Sequence, residues 1–578
     1  MYRVVSRSGD GGVLVRSVDP AGAETSPTQH FSDVEFRSFV RHEEPAAPRW
    51  VWDDTARWYP QLLAAGIRVQ RAHDLRLCHV ILRNSELTAA SALARAAPTG
   101  WDGSAVLPGE IASPAATLFD FMNDSADDAG DDESLAELLR QLEAVTASAE
   151  PAGLRLLLAA ESVGALIAAE MQFAGLPWRT DIHDRLLTDV LGPRVAPGTR
   201  PARLEHLAGE IRRHLDDPLL NPDSQQDLLK ALRRTGLRVE STRAWELRDV
   251  EHPVIPALLD YKKRSRLLSA NGWYWMDTWI VDGRFRPDYV PGGVVTGRWA
   301  AKGGGALQLP KQVRGAVVAD AGWKLVVADA AQLEPRILAA LSRDTAMADA
   351  GRGTDLYAGI VASGVVETRD HAKVAMLGAM YGATTGESGR LLPRLARAYP
   401  RALGLTEAAA RAGERGDIVT TRLGRSSPRP GESWLATQSR ASEPDASAND
   451  ERRARSQARD WGRFTRNFIV QGSAAEWALC WMAEIRKALL ALAHETLTDT
   501  PTQPAIETEA ETNPFAAVPH LVFFLHDEVI VHAPIALADR VAQIIENSAA
   551  RAGRLLFHDF PVDFPLTVAI VDSYAEAK

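Results

Sequence analysis

Residues 326–336 read Val326-Val327-Ala328-Asp329-Ala330-Ala331-Gln332-Leu333-Glu334-Pro335-Arg336. The apolar run that begins at Lys324 has the pattern of a buried strand, and the residues after Asp329 have the pattern of a helix. An acid at such a junction is held by rigid structure while it faces an opening. The stretch therefore predicts a strand that presents the Asp329 carboxylate.

A second stretch, from Phe523 to Val531, places His526, Asp527 and Glu528 between two apolar runs. This pattern predicts a β-hairpin with the polar residues at its tip. Burying them without partners would cost roughly 2–7 kcal/mol per polar group, and more for a charge. A metal ion is one candidate partner, and the alternative is that each acid only caps a helix or a turn.

Phosphoryl transfer to a primer hydroxyl needs one metal ion at the attacking oxygen and one at the leaving pyrophosphate, about 3.5–4 Å apart. Mg²⁺ prefers oxygen ligands and keeps several waters, so two aspartates and the substrate phosphates suffice. Asp329 and Asp527 are the candidate ligands of two Mg²⁺ ions, for which Mn²⁺ can substitute.

Between these stretches, a helix is predicted over Arg369 to Gly382. Arg369, Lys373, Leu377 and Tyr381 recur every four residues and share one face. The two cations suit phosphate oxygens, and Tyr381 can stack on a base. The face thus suits a nucleoside triphosphate, and the alternative is an amphipathic helix with solvated cations.

Composition limits the classes of protein that fit. The 578 residues are too many for one core, so we expect several subdomains. The net charge of −10 governs solubility and leaves a local basic cleft possible.

Two distant cysteines, Cys78 and Cys480, favour a reducing cytoplasm, and we expect no apolar run of membrane-spanning length. The stretches 122–134 and 498–514 are expected to be a linker and a surface loop.

In this order the motifs resemble the polymerase module of family A DNA polymerases, the bacterial DNA polymerase I type. The resemblance covers about 155–578. Its further elements are Leu220-Asn221-Pro222-Asp223-Ser224 at the start of a thumb, Thr296-Gly297-Arg298, Leu307-Gln308-Leu309-Pro310, and a helix with Arg463, Asn467 and Gln471 followed by Gly472-Ser473-Ala474-Ala475.

The resemblance implies an α/β (α+β) fold: a right-hand polymerase preceded by a degenerate RNase H-like 3′–5′ exonuclease domain. The expected bounds are 1–150 for the exonuclease-like domain, 151–290 for the thumb, 291–350 and 461–578 for the palm, and 351–460 for the fingers.

The resemblance also implies roles for individual residues. Asp329 and Asp527 would bind both metals and Glu528 would assist, while Lys373 could protonate the leaving pyrophosphate. Glu334 would close the space beside the sugar 2′ position. The nucleotide-binding set is Gln332, Glu334, Arg369, Lys373, Leu377 and Tyr381. The set assigned to the primer–template is Arg298, Gln308, Arg463, Asn467, Gln471 and His526.

Some positions depart from the family pattern. Leu377 stands where an aromatic residue is usual, and Tyr357 stands where His is usual after Asp-Ile. Ala330 and Ala331 replace a bulkier pair, and Pro335 is early in its helix but tolerable there. These changes indicate a divergent branch that keeps both metal ligands.

The N-terminal region looks like an exonuclease that has lost its acids. The stretch Asp74 to Leu82 resembles a helix of that domain, and Trp58 stands where the second acid is expected. Asp33-Val34-Glu35 matches the first motif in letters only, since no apolar strand precedes it. We expect proofreading to be lost, and no 5′-nuclease domain.

The leading hypothesis is template-directed DNA synthesis in repair or replication by a cytoplasmic, nucleoid-associated monomer that binds primer–template DNA and deoxynucleoside triphosphates, with no membrane partner. Two other classes stay open: a non-catalytic primer–template binding protein, and a nuclease acting through the N-terminal domain.

Overall fold

The structure is a computed structural model that describes residues 1–104, 133–196, 198–302, 304–305, 307, 309–382, 386–498 and 513–577. The expected linker at 122–134 and the expected loop at 498–514 lie almost entirely outside these residues, as does Gln308.

The N-terminal region is a small α/β unit. Its five strands lie in the order β3-β2-β1-β4-β5, where β1 runs antiparallel to β2 and parallel to β4. Its elements are β1 Tyr2–Arg7, β2 Val13–Val18, β3 Gln29–Phe31, α1 Asp33–Glu43, β4 Arg49–Trp52, α2 Thr55–Ala64, β5 Arg71–Asp74, α3 Leu75–Asn84, α4 Ala92–Arg95 and α5 Glu133–Thr146.

A mainly helical region follows. Ser224 caps the helix after the Leu220–Ser224 loop by accepting from the Asp227 backbone N–H at 3.3 Å. The elements are α6 Pro151–Ala174, β6 Leu176–Pro177, α7 Thr180–Leu191, α8 Ala202–His214, α9 Gln225–Arg234, α10 Ala244–Leu247, α11 Val254–Asn271, α12 Trp273–Trp279, β7 Ile280–Val281, β8 Arg284–Phe285, β9 Tyr289–Val290 and β10 Ala300–Ala301.

The remaining chain builds a four-stranded sheet and the helices around it. The elements are β11 Trp323–Ala330, α13 Leu333–Ser342, α14 Thr345–Ala350, α15 Leu356–Ala362, α16 Arg369–Tyr381, α17 Gly386–Ala398, α18 Pro400–Glu414, α19 Glu432–Ala441, α20 Ala448–Thr498, β12 His520–Leu525, β13 Glu528–Pro534, α21 Ala538–Phe557 and β14 Leu566–Val571. The four strands form an antiparallel sheet in the order β12-β13-β11-β14, called here the central sheet.

Helix α6 is an apolar helix of a length that was not expected from the sequence. By length and composition it could cross a membrane, with a mean hydropathy of 1.6, so the expectation that no apolar run has this length is wrong. Within that window 61% of the residues are buried inside the structure. The helix packs against α2, β5, β12 and α20, which is the environment of a core helix.

A buried ionic network joins the N-terminal unit to the rest. Glu170 on α6 accepts hydrogen bonds from Arg486 on α20 at 2.7 Å, from Arg68 at 3.1 Å and from the Tyr59 hydroxyl at 2.6 Å. Burial alone would raise the pKa of Glu170, but the charges of Arg486 and Arg68 outweigh it and lower that pKa to about 2. Three parts of the chain are thereby tied at one carboxylate.

Replacing Glu170 with Ala should destabilise the fold by about 3–5 kcal/mol, because two buried guanidinium groups lose their counter-ion. Urea unfolding at neutral pH measures the change. The control is Glu443→Ala, which breaks an exposed pair with Arg440 and should cost less than about 1 kcal/mol. Equal midpoints for the two variants would contradict a structural role for the network.

Candidate functional site

Of the two predicted metal ligands, Asp329 lies on β11 and Asp527 lies in the turn before the neighbouring strand β13. Asp329 pairs with Glu528 in the antiparallel register of β11 and β13, and the Ala330 backbone N–H donates to the Asp527 carbonyl at 2.9 Å. Asp527 precedes β13 in the turn from β12, where His526 has a left-handed φ of 58°. Such a backbone is costly outside glycine and is typical of functional turns. The predicted strand and hairpin are confirmed, with a two-residue turn in place of three polar tip residues.

The arrangement of oxygen donors suits hard cations. Asp329 and Asp527 bring two carboxylates to one end of the sheet, and Mg²⁺ binds through one or two carboxylates plus substrate phosphates and water. Across the part of the chain that the structure describes, no group of three or more His, Cys, Asp or Glu could hold a metal. A metal at this site would therefore need ligands from the substrate as well as from these two residues.

Glu528 is engaged inside the protein. Its side chain is 2% exposed, accepts a hydrogen bond from the Tyr574 hydroxyl, and lies 4.0 Å from the Arg314 guanidinium. Burial, followed by the charge of Glu528, raises the pKa of Tyr574. The structure thus gives Glu528, at the start of β13, structural partners, and its assisting role stays a prediction.

A cavity of about 330 Å³ opens beside Asp527. It lies between the ends of the central sheet and helices α13, α16 and α20. The predicted site residues that line it are Arg298, Gln332, Glu334, Leu377, Tyr381, His526 and Asp527. The structure therefore brings together residues that span 230 positions of sequence, Arg298 to Asp527 by number.

Glu334 is the best-fixed side chain of this cavity. It accepts hydrogen bonds from Arg298, with which it forms an ion pair, and from the Tyr381 hydroxyl. Burial, followed by the charge of Glu334, raises the pKa of Tyr381 and keeps its hydroxyl protonated. Glu334 and Tyr381 therefore form one rigid wall of the cavity.

Gln332 lines the cavity and also forms hydrogen bonds that connect two helices. It has a left-handed φ of 49° just before α13, its Nε2 donates to Asp355 at 3.0 Å, and its Oε1 accepts from the Leu356 N–H at 3.3 Å. Its side chain joins the start of α13 to the start of α15.

Helix α16 carries the two cations and the two apolar or aromatic residues on one face, as its sequence predicted. Thr368 caps the helix and Gly382 ends it with φ 72°. At the outer end Arg369 and Lys373 are exposed, while Leu377 and Tyr381 are half-buried and line the cavity. The cationic and apolar ends are thus placed in the predicted order along the helix.

Arg369 has an acidic partner that the sequence did not indicate. Its guanidinium donates to Asp355 at 2.8 Å and lies 5.5 Å from the centre of the Tyr357 ring. Tyr357 itself lines the cavity. A triphosphate would have to compete with Asp355 for this guanidinium.

The helix assigned to the primer–template lies beside the end of α16. Arg463 forms an ion pair with Asp460 and packs against Gly382, where a Cβ would lie 2.9 Å from its Cγ. The Gln471 side chain lies next to the Tyr381 hydroxyl and opposes the rise in the pKa of Tyr381. The buried Asn467 Oδ1 has no hydrogen-bond partner within the described ranges. Gln308 lies outside the described residues.

Sequence reasoning missed Tyr357, Asp355, Tyr574 and Arg314 as parts of the site. Tyr357 was visible only as a departure from the family pattern. Tyr574 lies 46 residues beyond Glu528, and no local pattern marks their contact.

Comparison with known proteins agrees with the resemblance that the sequence motifs indicate. The family model described as DNA polymerase family A matches residues 200–575. "DNA polymerase I, thermostable" of Thermus filiformis is 24% identical over 410 residues, which are 64% of this chain and 43% of that protein. The Thermus aquaticus protein of the same name is 24% identical over 475 residues, 75% of this chain and 47% of that protein. The chain spans less than half the length of these relatives.

Among solved structures, the POL domain of Pol1 from M. smegmatis, in complex with DNA primer-template and dNTP, matches with a TM-score of 0.63. The match covers 98% of this chain and 93% of that chain at 16% identity, so it bears on the fold alone.

The central sheet with its paired carboxylates and flanking helical regions defines the right-hand polymerase class of fold, as expected from the sequence. Since the family model matches well over half of its residues, the chain belongs to DNA polymerase family A.

Two buried histidines support the strands that carry the Asp527 turn. His520 on β12 lies against His532 on β13, and the charged groups around the pair are Asp320, Arg68 and Arg284. Burial lowers the pKa of His520 to about 3 and also lowers that of His532. Both rings are therefore neutral in the folded protein near neutral pH.

Acid should weaken the fold through these rings. Unfolded histidine has a pKa of about 6.5, so the unfolded chain binds protons first as pH falls. The free energy of unfolding that the two neutral rings contribute is complete above about pH 6.5. It is lost as pH falls toward the pKa values of the rings in the folded protein. His520→Gln should reduce the slope of unfolding free energy between about pH 6.5 and 5 by roughly 1.4 kcal/mol per pH unit.

The control is His206→Gln on α8, an exposed histidine that should leave the slope unchanged. Urea unfolding at several pH values measures both variants. A wild-type slope in His520→Gln would contradict the assignment.

Proposed function

We propose that this chain is a DNA-directed DNA polymerase, which adds deoxynucleotides to a primer 3′ end by two-metal phosphoryl transfer in DNA repair or replication. The observation that carries the proposal is the backbone pairing of β11 with the Asp527 turn, beside a cavity that Asp527 and residues of α16 line. Family membership supports it, and so does the fold shared with a polymerase domain that holds primer-template and dNTP.

Asp329 and Asp527 would hold two Mg²⁺ ions, with Mn²⁺ as a substitute. When bound, the ions supply charge stabilisation for the attacking and leaving oxygens. The two carboxylates position that charge at the end of the sheet, where the primer hydroxyl and the triphosphate have to meet.

Helix α16 would orient the incoming nucleotide. Arg369 and Lys373 lie at its exposed end and suit the triphosphate, and Lys373 Nζ would give a proton to the leaving pyrophosphate oxygen. Leu377 and Tyr381 face the cavity and suit the sugar and the base. The wall formed by Glu334 and Tyr381 would exclude a 2′-hydroxyl by occupying its space.

The primer–template would lie across Arg298, His526 and the α20 face of Arg463, Asn467 and Gln471. Most of this contact would be with phosphate, so binding should weaken as salt rises. Gln308 belongs to the same proposed set.

We propose that the protein acts as a monomer in the cytoplasm, associated with the nucleoid.

Proofreading is proposed to be lost. Trp58 fills the place expected for an acid, donates to Asp53 at 2.6 Å, and packs 4.8 Å from the Arg7 guanidinium. Glu35 closes the capping box of α1 with Ser32, so the Asp33–Glu35 motif has a structural use. Strand β1 carries no acid between Tyr2 and Arg7.

A labelled primer–template with Mg²⁺ and deoxynucleoside triphosphates tests both halves of the proposal. Asp527→Ala should lower the extension rate at least roughly 1,000-fold, since several kcal/mol of charge stabilisation are lost. DNA affinity should stay near that of the wild type. Without nucleotides, the wild-type protein should leave the primer full length.

The matched control is Asp539→Ala, which removes an exposed carboxylate from the first turn of α21 and should extend normally. Extension by Asp527→Ala near the wild-type rate would refute the metal assignment. No extension by the wild type would favour a binding protein, and a shortened primer would favour a nuclease.

Leu377→Phe should fold and should change the ratio of dideoxynucleotide to deoxynucleotide incorporation by roughly threefold or more, because a ring would reach further into the cavity. Competition between the two nucleotides on one primer measures the ratio. Leu377→Met conserves volume and should leave it unchanged. An insoluble Leu377→Phe protein would show that the residue is a core position instead.

A further inference from the structure

A buried ion pair lies against the loop that carries Arg298. Glu161 on α6 is 1% exposed, and its Oε2 accepts a hydrogen bond from Arg425 Nη2 at 2.7 Å. Arg425 follows α18 in the chain and is itself 8% exposed. An apolar pair of similar volume is often as stable as a buried ion pair, so stability alone is a weak reason for this one.

The Arg425 guanidinium packs against the backbone of Gly297. A Cβ at Gly297 would lie 2.5 Å from Arg425 Nε and 2.9 Å from its Cζ, so no larger residue fits there without a shift. Gly297 also has φ 84°, a conformation that favours glycine. The guanidinium is therefore the surface on which this backbone lies.

The ion pair contacts the loop at a second point. Residues 291–298 lie between β9 and β10 and are called here the 291–298 loop. A Cβ at Gly292 would lie 2.7 Å from Glu161 Oε1. Arg425 thus supports the loop at Gly297, and Glu161 supports it at Gly292.

The atoms that touch the loop lack hydrogen bonds of their own. Glu161 Oε1 and Arg425 Nε are both buried and have no hydrogen-bond partner in the part of the chain that the structure describes. These are the side-chain atoms nearest to Gly292 and Gly297. A buried polar atom without a partner costs stability, so the pair is arranged for contact with the loop at the expense of its own hydrogen bonding.

The N-terminal unit holds the segment that carries Arg425. The Ser85 hydroxyl donates to the Gly424 carbonyl at 2.6 Å, and the Glu86 backbone N–H donates to the Ser426 hydroxyl at 2.9 Å. The residues on both sides of Arg425 are thereby tied to the residues that follow α3.

Arg298 connects the loop to the wall of the cavity. It forms the ion pair with Glu334, which also accepts from the Tyr381 hydroxyl. A shift of the 291–298 loop therefore moves Arg298 and, through it, the Glu334 carboxylate. Groups at a reaction site have to be held within about 0.5 Å of their working positions by the residues around them.

We propose that Arg425, held by Glu161, is a positioning residue that fixes the 291–298 loop and thereby the place of Glu334 beside the incoming sugar. The inference rests on the proposed polymerase function and deepens it, because it assigns part of sugar selection to an ion pair outside the cavity. It also gives the N-terminal unit a role in the polymerase site, since that unit holds both neighbours of Arg425.

Selection between deoxynucleotides and ribonucleotides tests the proposal. On a labelled primer–template with Mg²⁺, kcat/KM is measured for a deoxynucleoside triphosphate and for the matching ribonucleoside triphosphate. Arg425→Lys keeps a charge for Glu161 but loses the planar guanidinium that supports Gly297. The ratio of the two kcat/KM values should fall about 10-fold, since a displacement of about 1 Å at a distant support can cost about 100-fold.

A second variant guards against loss of folding. Glu161→Gln combined with Arg425→Met removes both charges, so no buried charge is left without its partner. This double variant should fold and should lower the ratio in the same direction. A wild-type ratio in either variant would overturn the proposal, whatever its melting temperature, because a merely structural pair changes stability alone.

The matched control is Glu170→Gln, which neutralises a carboxylate in the other buried ionic network and should keep the wild-type ratio. A double-mutant cycle shows whether Arg425 acts through Glu334. In a Glu334→Ala background the ratio is already low, and Arg425→Lys should lower it no further. Two independent losses that multiply would overturn the proposed route.

Hydrogen exchange of the loop separates failure of this inference from failure of the proposed function, because exchange needs no catalysis. The Gly297 N–H donates to the Val294 carbonyl at 2.7 Å, and peptides that cover 291–298 should exchange faster in Arg425→Lys. Faster exchange, with a wild-type protein that never extends a primer, would refute the polymerase proposal and leave the support of the loop in place. Unchanged exchange would overturn the inference even in an active polymerase.

Discussion

The pairing of β11 with β13 is the constraint on which the site depends. Asp329 and Asp527 are almost 200 positions apart in the sequence, and only the antiparallel register brings them to one end of the sheet. A shift of one residue would turn Asp329 to the other face of the sheet, because side chains alternate along a strand. The buried valines and alanines on both strands fix the register, since each apolar side chain has its own place in the core.

Polar networks then hold the surroundings of the sheet in place. Glu528 and Tyr574 fix the turn end of the hairpin, and Glu334 links Arg298 to Tyr381 across the cavity. Glu170 on α6 accepts hydrogen bonds from α20 and from the N-terminal unit, and it thereby joins these three parts of the chain. Each of these carboxylates is buried or nearly so and has charged or hydroxyl partners, which is the condition for burying it without a large cost.

Local patterns predicted much of this structure. The strand at 324–328, the hairpin around Asp527 and the Arg369–Gly382 helix depend on neighbours a few residues away, and all three are confirmed. The contacts of Tyr574 with Glu528, of Arg486 with Glu170 and of Arg369 with Asp355 join distant positions, and periodicity carries no information about them. The apolar run of membrane-spanning length in α6 was not expected because a few charged residues interrupt it, and long-range packing buries this helix. The domain bounds and the roles of individual site residues remain predictions.

The most direct measurement is Mn²⁺ binding by electron paramagnetic resonance, with protein, a dideoxy-terminated primer–template and the next nucleotide. Wild-type protein should bind Mn²⁺ in this complex, and Asp329→Asn and Asp527→Asn should each weaken that binding, because the two carboxylates share the ions. Unchanged Mn²⁺ affinity in either variant would contradict a shared metal site at the end of the central sheet.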